Sequence, residues 1–415
     1  MIKMHKEFIK KALEELEKRK IIKTVEKLTH YHDEPKIHYF SAHKYSKKWS
    51  TSTGLSFESP ELALLRCAGE AIERNVLIDI PYKTLKRASY NELKNEGAMN
   101  PNTINENLPN VSNASLLWTR GYEGIDFKKP AWIPAQTIYL DSRFWKTEPH
   151  FLPTITTGAA GGFDHEGTLL RAIYEVIERD SLMCVYLTKS RPKKINTSTI
   201  LSQKIQNILT YLKRYLLEPH IFETTTNIQI PSCLVILIDK SGLGPRITLS
   251  AKAGQNIESA LCGALEESVL TRQWVRRIIT EKYPLPVEVP EKLISFEDRA
   301  KFWLPEKMTK HLDFLLTIPE TRTIRTAGKK LSVREQLKSC QTLLTKAGYS
   351  IYFSSIEHDV CQKLHYRVYK AVIPGLQPLY INESGALYFP TRLRTVAHYF
   401  GNNTYILNTI PHPFL

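Results

Sequence analysis

Apolar residues recur at three- and four-residue spacing in several stretches of this chain, and that spacing predicts amphipathic helices. In residues 1–20, Phe8, Ile9, Leu13 and Leu16 fall on one side of a helix otherwise rich in lysine and glutamate. A second helix starts at Ser59-Pro60-Glu61, where serine can cap and proline fits the first turn, and runs to about Ile78. A third begins at Asp164 or His165 and runs to about Tyr186, with Leu169, Leu170, Ile173 and Ile177 apolar. Further helices are expected over "NIESALCGALEESVLTRQWVRRII" and over "VREQLKSCQTLLTKAG", the latter ended by Gly348.

Alternating or continuous apolar runs predict strands between these helices. "LLWTRGYEG" and "PAWIPAQTIYL" make one pair, and "QIPSCLVILID" and "RITLSAKAG" make a hairpin joined through "KSGLGP". Residues 49–58 and the segment "ITTGAAGGFDHEG" read as loops, the second rich in glycine. Residues 84–113 are polar and turn-rich, and residues 281–330 form a lobe or long connection rich in proline and charge. Beyond residue 350 the chain reads as strand and loop. The irregular alternation of helices and strands predicts a mixed α+β fold with an internal pseudo-repeat, and not a barrel. Residues 1–48 are an N-terminal helix and connection, and the remainder, 49–415, carries the main body.

Composition narrows the class only partly. A chain of 415 residues buries a large core, in two or three domains or in one large one. No run of about 18 apolar residues is present, so no membrane span is expected. The N-terminus lacks the apolar centre of a secretory signal, and a cytoplasmic protein is expected. None of the six cysteines forms a C-x-x-C pair, which speaks for buried thiols and against zinc or a disulfide framework. The net charge of +15 favours an anionic partner such as nucleic acid, nucleotide or acidic peptide. The lysines are spread along the chain without a basic tail or an RNA-binding signature, so a soluble basic surface explains the charge equally well.

The informative pattern is a repeated one. Residues 64–74 and 169–179 share the frame L-L-R-x-x-x-E-x-I-E-R. Each copy is preceded by Thr-Gly, with Gly54 sixteen residues before Glu70 and Gly158 seventeen before Glu175. The helix after "SAKAGQ" is a looser third copy, with Ala260, Ala264, Glu267 and Arg272. Residues three apart share a helical face, so Glu70 with Glu73, and Glu175 with Glu178, each project two carboxylates together. Four carboxylates brought face to face would repel strongly unless cations came with them. Mg2+, a hard ion usually bound by a few carboxylates and by substrate phosphates, answers that need. Arg74, Arg179 and Arg272 can neutralise the glutamates or grip phosphate oxygens. The backbone N–H groups of "TTGAAGG", Gly158 and Ala160 among them, can receive an anion ahead of a helix. Neither a P-loop nor a protein-kinase motif set is present. A solvated helix face with ion pairs explains one such frame; with two copies both readings stay open.

At these residues the chain resembles the YcaO family. "TTGAAGGFDHEGTLLRAIYEVIERDSLM" is similar to the family's Gly-Ala-rich stretch and E-x-x-E-R-D helix. "SPELALLRCAGEAIER" resembles its first glutamate helix, "AKAGQNIESALCGALEESVLTR" its third, and "YKAVIPGLQPLY" its late P-G-L segment. The resemblance spans about residues 50–415. It implies a YcaO-like α+β fold with internal pseudo-symmetry, helices packed on mixed and antiparallel sheets, and binding of ATP and Mg2+. It implies that Glu70, Glu73, Glu175 and Glu178 coordinate the metal. Arg74, Gly158, Ala160, Glu166, Arg179, Glu267 and Arg272 then lie near the nucleotide or support it. Two positions depart from the family pattern. "TGLSFES" has no lysine where many members have G-K-G, and Gly167 stands where a second glutamate often follows the one at Glu166.

The resemblance also implies an activity. Many members activate a peptide backbone amide by phosphorylating its oxygen after a nucleophile has added to the carbonyl. A Cys, Ser or Thr side chain as nucleophile gives a thiazoline or oxazoline, external sulfide a thioamide, and an amine an amidine. The chain ends "NTIPHPFL", and azoline-forming members resemble this with P-x-P-x-P tails that reach the active site. Pro411, Pro413 and Leu415 are the corresponding residues, with leucine in place of the last proline. The expected partners are a ribosomally made precursor peptide and a separate leader-binding, ubiquitin-activating-like protein. A homodimer is expected as well, with no membrane and no nucleic acid. No residue declares itself as the base; a tail carboxylate, His398 and His412 are the candidates. A non-catalytic scaffold of the same fold, binding peptide or nucleic acid, is the alternative of another class.

Overall fold

The computed structural model describes residues 2–44, 52–282, 289–324 and 331–415. In chain order the elements begin with α1 (Ile2–Lys18), β1 (Ile22–Lys27), β2 (His38–Lys44), β3 (Ser52–Ser56) and α2 (Pro60–Ile78). Next come β4 (Lys86–Ala88), α3 (Tyr90–Leu93), β5 (Leu116–Glu123), β6 (Lys129–Pro134), β7 (Ala159–Gly162) and α4 (His165–Leu187). The middle of the chain forms β8 (Lys193–Ile195), α5 (Gln203–Arg214), β9 (Leu217–Glu223), β10 (Ser232–Asp239), β11 (Ile247–Ala253) and α6 (Ile257–Arg277). Then follow α7 (Phe296–Phe302), α8 (Asp313–Leu316), β12 (Glu320–Arg322), α9 (Val333–Lys346), β13 (Tyr352–Ser355), α10 (Asp359–Leu364), β14 (Arg367–Val372) and α11 (Pro390–Tyr399).

Two compact units divide the chain. The first comprises residues 1–31, 36–173 and 350–374, and the second residues 32–35, 174–349 and 375–415. In the first unit β1, β2 and β3 form an antiparallel sheet, and α2 packs on β2 and β3. A second sheet runs β4-β5-β13-β14-β7, with β6 paired to β5. Phe8, Ile9 and Leu16 of α1 join Cys67, Ala68, Ala71 and Ile72 of α2 in one apolar core with Trp118, Ile133 and Val368 of the second sheet. The N-terminal helix thus buries the apolar side that its spacing predicts. Burying a side chain of leucine or isoleucine size stabilises by about 1.5–3 kcal/mol, so this face holds α1 in place.

In the second unit the sheet order is β11-β10-β9-β8-β12. Every residue of β10 is buried, and α6 packs along β10 and β11. The apolar run "CLVILI" is therefore a central strand covered by protein. Ser59 caps α2, its hydroxyl accepting from the Leu62 N–H at 3.1 Å. Asn256 caps α6 by accepting from the Ser259 N–H at 2.8 Å. The six cysteines are free, and all but Cys262 are buried.

The structure departs from the sequence reading in four places. Residues 52–56, read as loop, are the strand β3, and 49–51 lie outside the described residues. Ala159–Gly162, read as a glycine loop, is the strand β7, paired in register with Arg367–Lys370 of β14. Both strands consist largely of Ser, Gly, Ala and Thr, so backbone pairing fixes them and no side-chain pattern announces them. Beyond residue 350 the chain holds two helices, α10 and α11, where strand and loop were expected. The 281–330 stretch contains α7, α8 and β12, while residues 283–288 and 325–330 lie outside the described ones.

Candidate ATP and metal site

Glu70 and Glu73 sit on α2 and Glu175 and Glu178 on α4, each pair one turn apart as the frame requires. In the first unit Glu70 Oε1 pairs with Arg74 Nη2 at 2.7 Å. Its other oxygen accepts the backbone N–H of Thr53 at 2.5 Å. The upstream Thr-Gly therefore has a local purpose: β3 delivers an amide to the glutamate seventeen positions on. Gly54 makes the approach possible. A Cβ there would stand 2.0 Å from the Ala63 carbonyl oxygen and 2.3 Å from the Cys67 nitrogen, both backbone atoms that cannot yield. Lys44 at the end of β2 belongs to the same neighbourhood. Burial pushes its ammonium down to about 8, Arg74 adds to the fall, and Glu70 opposes it. Glu73 is half-buried on the same helix; burial raises the pKa of the Tyr366 hydroxyl, and the charge of Glu73 adds to that rise.

Arg74 and Arg179 thus serve equivalent places, since Arg179 Nη2 pairs with Glu175 Oε1 at 2.6 Å in the second unit. Glu178 is buried to 3% exposure. Burial drives its carboxyl well upward, Lys252 and Arg179 pull it down, and Glu267 and Glu175 add to the rise. Lys252 of β11 places Nζ 2.6 Å from Glu267 Oε2 and 3.4 Å from Glu178 Oε2. This lysine, paired with two of the candidate glutamates, is a residue that sequence reasoning missed. "SAKAG" gives no local sign of it, because its partners lie 15 residues downstream and 74 upstream.

The remaining candidates are placed as follows. Gly158 adopts the left-handed backbone, φ 79°, and its carbonyl accepts from the Ala371 N–H at 2.8 Å. Ala160 is buried in β7 opposite Tyr369, and Glu166 lies in the first turn of α4. Gly167 donates its N–H to Asp164 Oδ1 at 2.5 Å, and a Cβ on Gly167 would crowd that carboxylate at 2.8 Å. Glycine at this position thus goes with the Asp164 turn that opens α4. Arg272 is 2% exposed and committed to protein: Nε to Glu34 at 2.8 Å, Nη2 to Asp239 at 2.9 Å, and Nη1 to the Pro245 carbonyl at 3.0 Å. It ties the β10–β11 turn to Glu34.

The tail is fixed to α4. The Pro411 carbonyl accepts from the Tyr186 hydroxyl at 3.2 Å and from Trp303 Nε1 at 2.9 Å. The His412 carbonyl accepts from Arg299 Nη1 at 2.8 Å, and Phe414 bridges to Leu249 on the outer side of β11. Pro413 is buried and Leu415 half-buried. His412 is buried, with Nε2 2.7 Å from the Tyr380 carbonyl, and burial drives its pKa well below the usual histidine value. His398 is exposed on α11, 2.8 Å from Asn403 Oδ1. Asp180, next after the E-x-x-E-R frame, is also structural. Its carboxylate receives Arg392 Nε at 2.9 Å, Arg392 Nη2 at 2.5 Å and the Gln377 N–H at 2.9 Å. It fastens the "PGLQ" segment and α11 to α4.

Within each unit the carboxylates come with protein cations, and among the described residues no group of three His, Cys, Asp or Glu is gathered to hold a metal ion alone. That donor set still suits Mg2+, which keeps several waters and is commonly held by one or two carboxylates plus substrate phosphates. A family model described as YcaO cyclodehydratase, ATP- and Mg2+-binding, matches residues 57–377. The chain belongs to the YcaO family. This is a family of enzymes, and ATP and Mg2+ are its cofactors. A heterocyclase solved in complex with substrate and cofactor has the same fold, with TM-score 0.75 at 16% identity over 95% of this chain and 55% of that one. The chain thus spans just over half the length of that structure. A YcaO protein from Methanopyrus kandleri, bound with AMPPCP and Mg2+, matches with TM-score 0.68 at 15% identity over 93% and 94%. The E. coli microcin synthetase McbBCD complex matches with TM-score 0.60 at 14% identity over 88% and 90%. No curated protein matches this YcaO chain. The α+β expectation holds, and no described helix is long and apolar enough to cross a membrane.

Proposed function

We propose that the protein is an ATP- and Mg2+-dependent cyclodehydratase that converts Cys, Ser or Thr of a ribosomally made precursor peptide into thiazoline or (methyl)oxazoline. The observation that carries this reading is the doubled E-x-x-E-R helix with each frame's first glutamate, Glu70 or Glu175, already set by an arginine one turn on. In the proposal Glu70, Glu73, Glu175 and Glu178 hold Mg2+. Arg74, Arg179, Glu267, Glu166 and the Gly158–Ala160 backbone orient the nucleotide, and Arg272 supports α6. Bound Mg2+ supplies charge neutralisation for the phosphates. The side chain's sulfur or oxygen gives up its proton to solvent as it adds to the preceding carbonyl carbon, and the former carbonyl oxygen attacks the γ-phosphorus of ATP as the bond to ADP breaks. Phosphate then leaves with that oxygen, the amide N–H gives up its proton, and C=N forms. The residues chiefly position reactants and stabilise charge, as in other phosphoryl transfers.

The ordered tail supports azoline formation over the sulfide or amine variants. Pro411, Pro413 and Leu415 are proposed to order catalytic groups, and Tyr186 links their backbone to the helix that carries Glu175 and Glu178. The proposed partners are the precursor peptide and a separate leader-binding protein of the ubiquitin-activating-like type, with the enzyme itself a homodimer. The McbBCD complex, a chain of which shares this fold, supports a multi-protein arrangement. An isotope experiment tests the activation step. With 18O in the amide carbonyl that precedes the cyclising residue, the label is expected in inorganic phosphate; label released into water would overturn the phosphorylation route.

A further inference from the structure

Lys252 differs from the two arginines that follow the glutamate pairs. Arg74 and Arg179 each pair with a glutamate of their own helix, whereas Lys252 comes from β11 and bridges carboxylates of two helices, Glu178 of α4 and Glu267 of α6. Room for it is built into α6. Gly263 lies one turn before Glu267, and a Cβ there would stand 3.1 Å from Lys252 Cγ. The lysine stem thus crosses α6 where the helix has no side chain, and its ammonium reaches the glutamate four residues on. The side chain remains 36% exposed, against 4% for Glu178, so it has a way out toward solvent that the glutamate lacks.

We propose that Lys252 is a tethered stand-in for the divalent cation. Resting on the reading that Glu178 is a metal ligand, the inference is that the ammonium neutralises Glu178 and Glu267 in the metal-free protein and is displaced when Mg2+ enters with the nucleotide. Lysine suits that exchange: it is a compact, strongly hydrated point charge on a flexible stem, unlike the planar fork of arginine. A buried carboxylate left without any cation is costly, so the protein gains a stable metal-free state. Mg2+ binding then becomes a competition, and the metal requirement is set by Lys252.

The test is the Mg2+ dependence of binding of a non-hydrolysable ATP analogue, followed by calorimetry on the full chain, alongside thermal unfolding without metal. Lys252→Met is expected to lower the Mg2+ half-saturation on the order of tenfold, the equivalent of one decade in affinity. The same change is expected to lower the metal-free unfolding temperature and to leave nucleotide affinity at saturating Mg2+ unchanged. Gly263→Ala, which crowds the stem while keeping the charge, should shift half-saturation the same way by a smaller factor and serves if the Met variant does not fold. An unchanged or raised Mg2+ requirement in these variants would overturn the proposal, as would weaker nucleotide binding at saturating metal, which would make Lys252 a phosphate ligand. Glu178→Gln separates the two levels. It should raise the Mg2+ half-saturation, and if it does not, the assignment of the metal ligand fails rather than the role of the lysine.

Discussion

Glu178→Gln is expected to lower ATP-dependent turnover by more than about a hundredfold while leaving the protein folded. The bound rests on comparison: loss of a residue that merely orients a metal ligand typically costs 10–100-fold, and loss of the ligand itself should exceed that. Glutamine keeps the volume of the buried side chain and removes only its negative charge. The local charge balance changes with it, because Lys252 then loses one of the two carboxylates it pairs with. Glu175→Gln and Glu70→Gln should act in the same direction, since each also releases an arginine from its present partner. ADP release and peptide conversion measure the effect, and thermal unfolding checks the fold. If these frames were only solvated helix faces with ion pairs, each substitution would cost about 0–1 kcal/mol of stability and leave turnover intact.

The second large effect concerns the residue next to the frame. Asp180→Ala is expected to destabilise the protein by about 3–5 kcal/mol, because it leaves the Arg392 guanidinium buried with no carboxylate. Asp180 and Arg392 are each 1% exposed in the side chain, and the contacts of Arg392 to Asn227 and Thr226 are to neutral groups. The Gln377 N–H loses its acceptor at the same time. Urea unfolding of Asp180→Ala, Arg392→Met and the double variant measures the coupling. The double variant should recover part of the loss, since it removes the stranded charge along with its partner. Equal and additive losses would mean that the pair is not the fastening described here.

The parts of the architecture that were legible in the sequence are those governed by side chains close in the chain. The frame at 64–74 and 169–179 located two of the three candidate site helices, and Ser59 marked the cap of one of them. The hairpin of β10 and β11 was legible because β10 is a largely apolar run and β11 alternates apolar and polar residues. The strands β3 and β7 were not, since Ser52–Ser56 and Ala159–Gly162 are held by backbone ladders and by the closeness that glycine permits. In α11 the signal was present but weak: Leu393, Val396 and Ala397 keep helical spacing, while the buried Arg392 in their midst reads as a polar position until Asp180 is known to face it.

The site follows the same division. Paired glutamates and their arginines are i, i+3 and i, i+4 neighbours, so their grouping could be read from spacing. The Thr53 amide on Glu70, the Glu34 and Asp239 carboxylates on Arg272, and Lys252 between two helices join residues distant in the chain. Their chemistry depends on packing. The absence of lysine from the first glycine loop gave no hint that Lys44 and Lys252 stand beside Glu70 and Glu178.

The most direct test of the central claim is mass spectrometry of a candidate precursor peptide, after incubation with the protein, the proposed leader-binding partner, ATP and Mg2+. The account predicts the loss of one water for each Cys, Ser or Thr converted, dependent on ATP and abolished by Glu175→Ala. A gain equal to the exchange of oxygen for sulfur would mean a thioamide and would contradict the reading of the tail. An unchanged mass, with no ATP consumed by the folded complex, would contradict the enzymatic account and favour a scaffold that has kept the fold without the reaction.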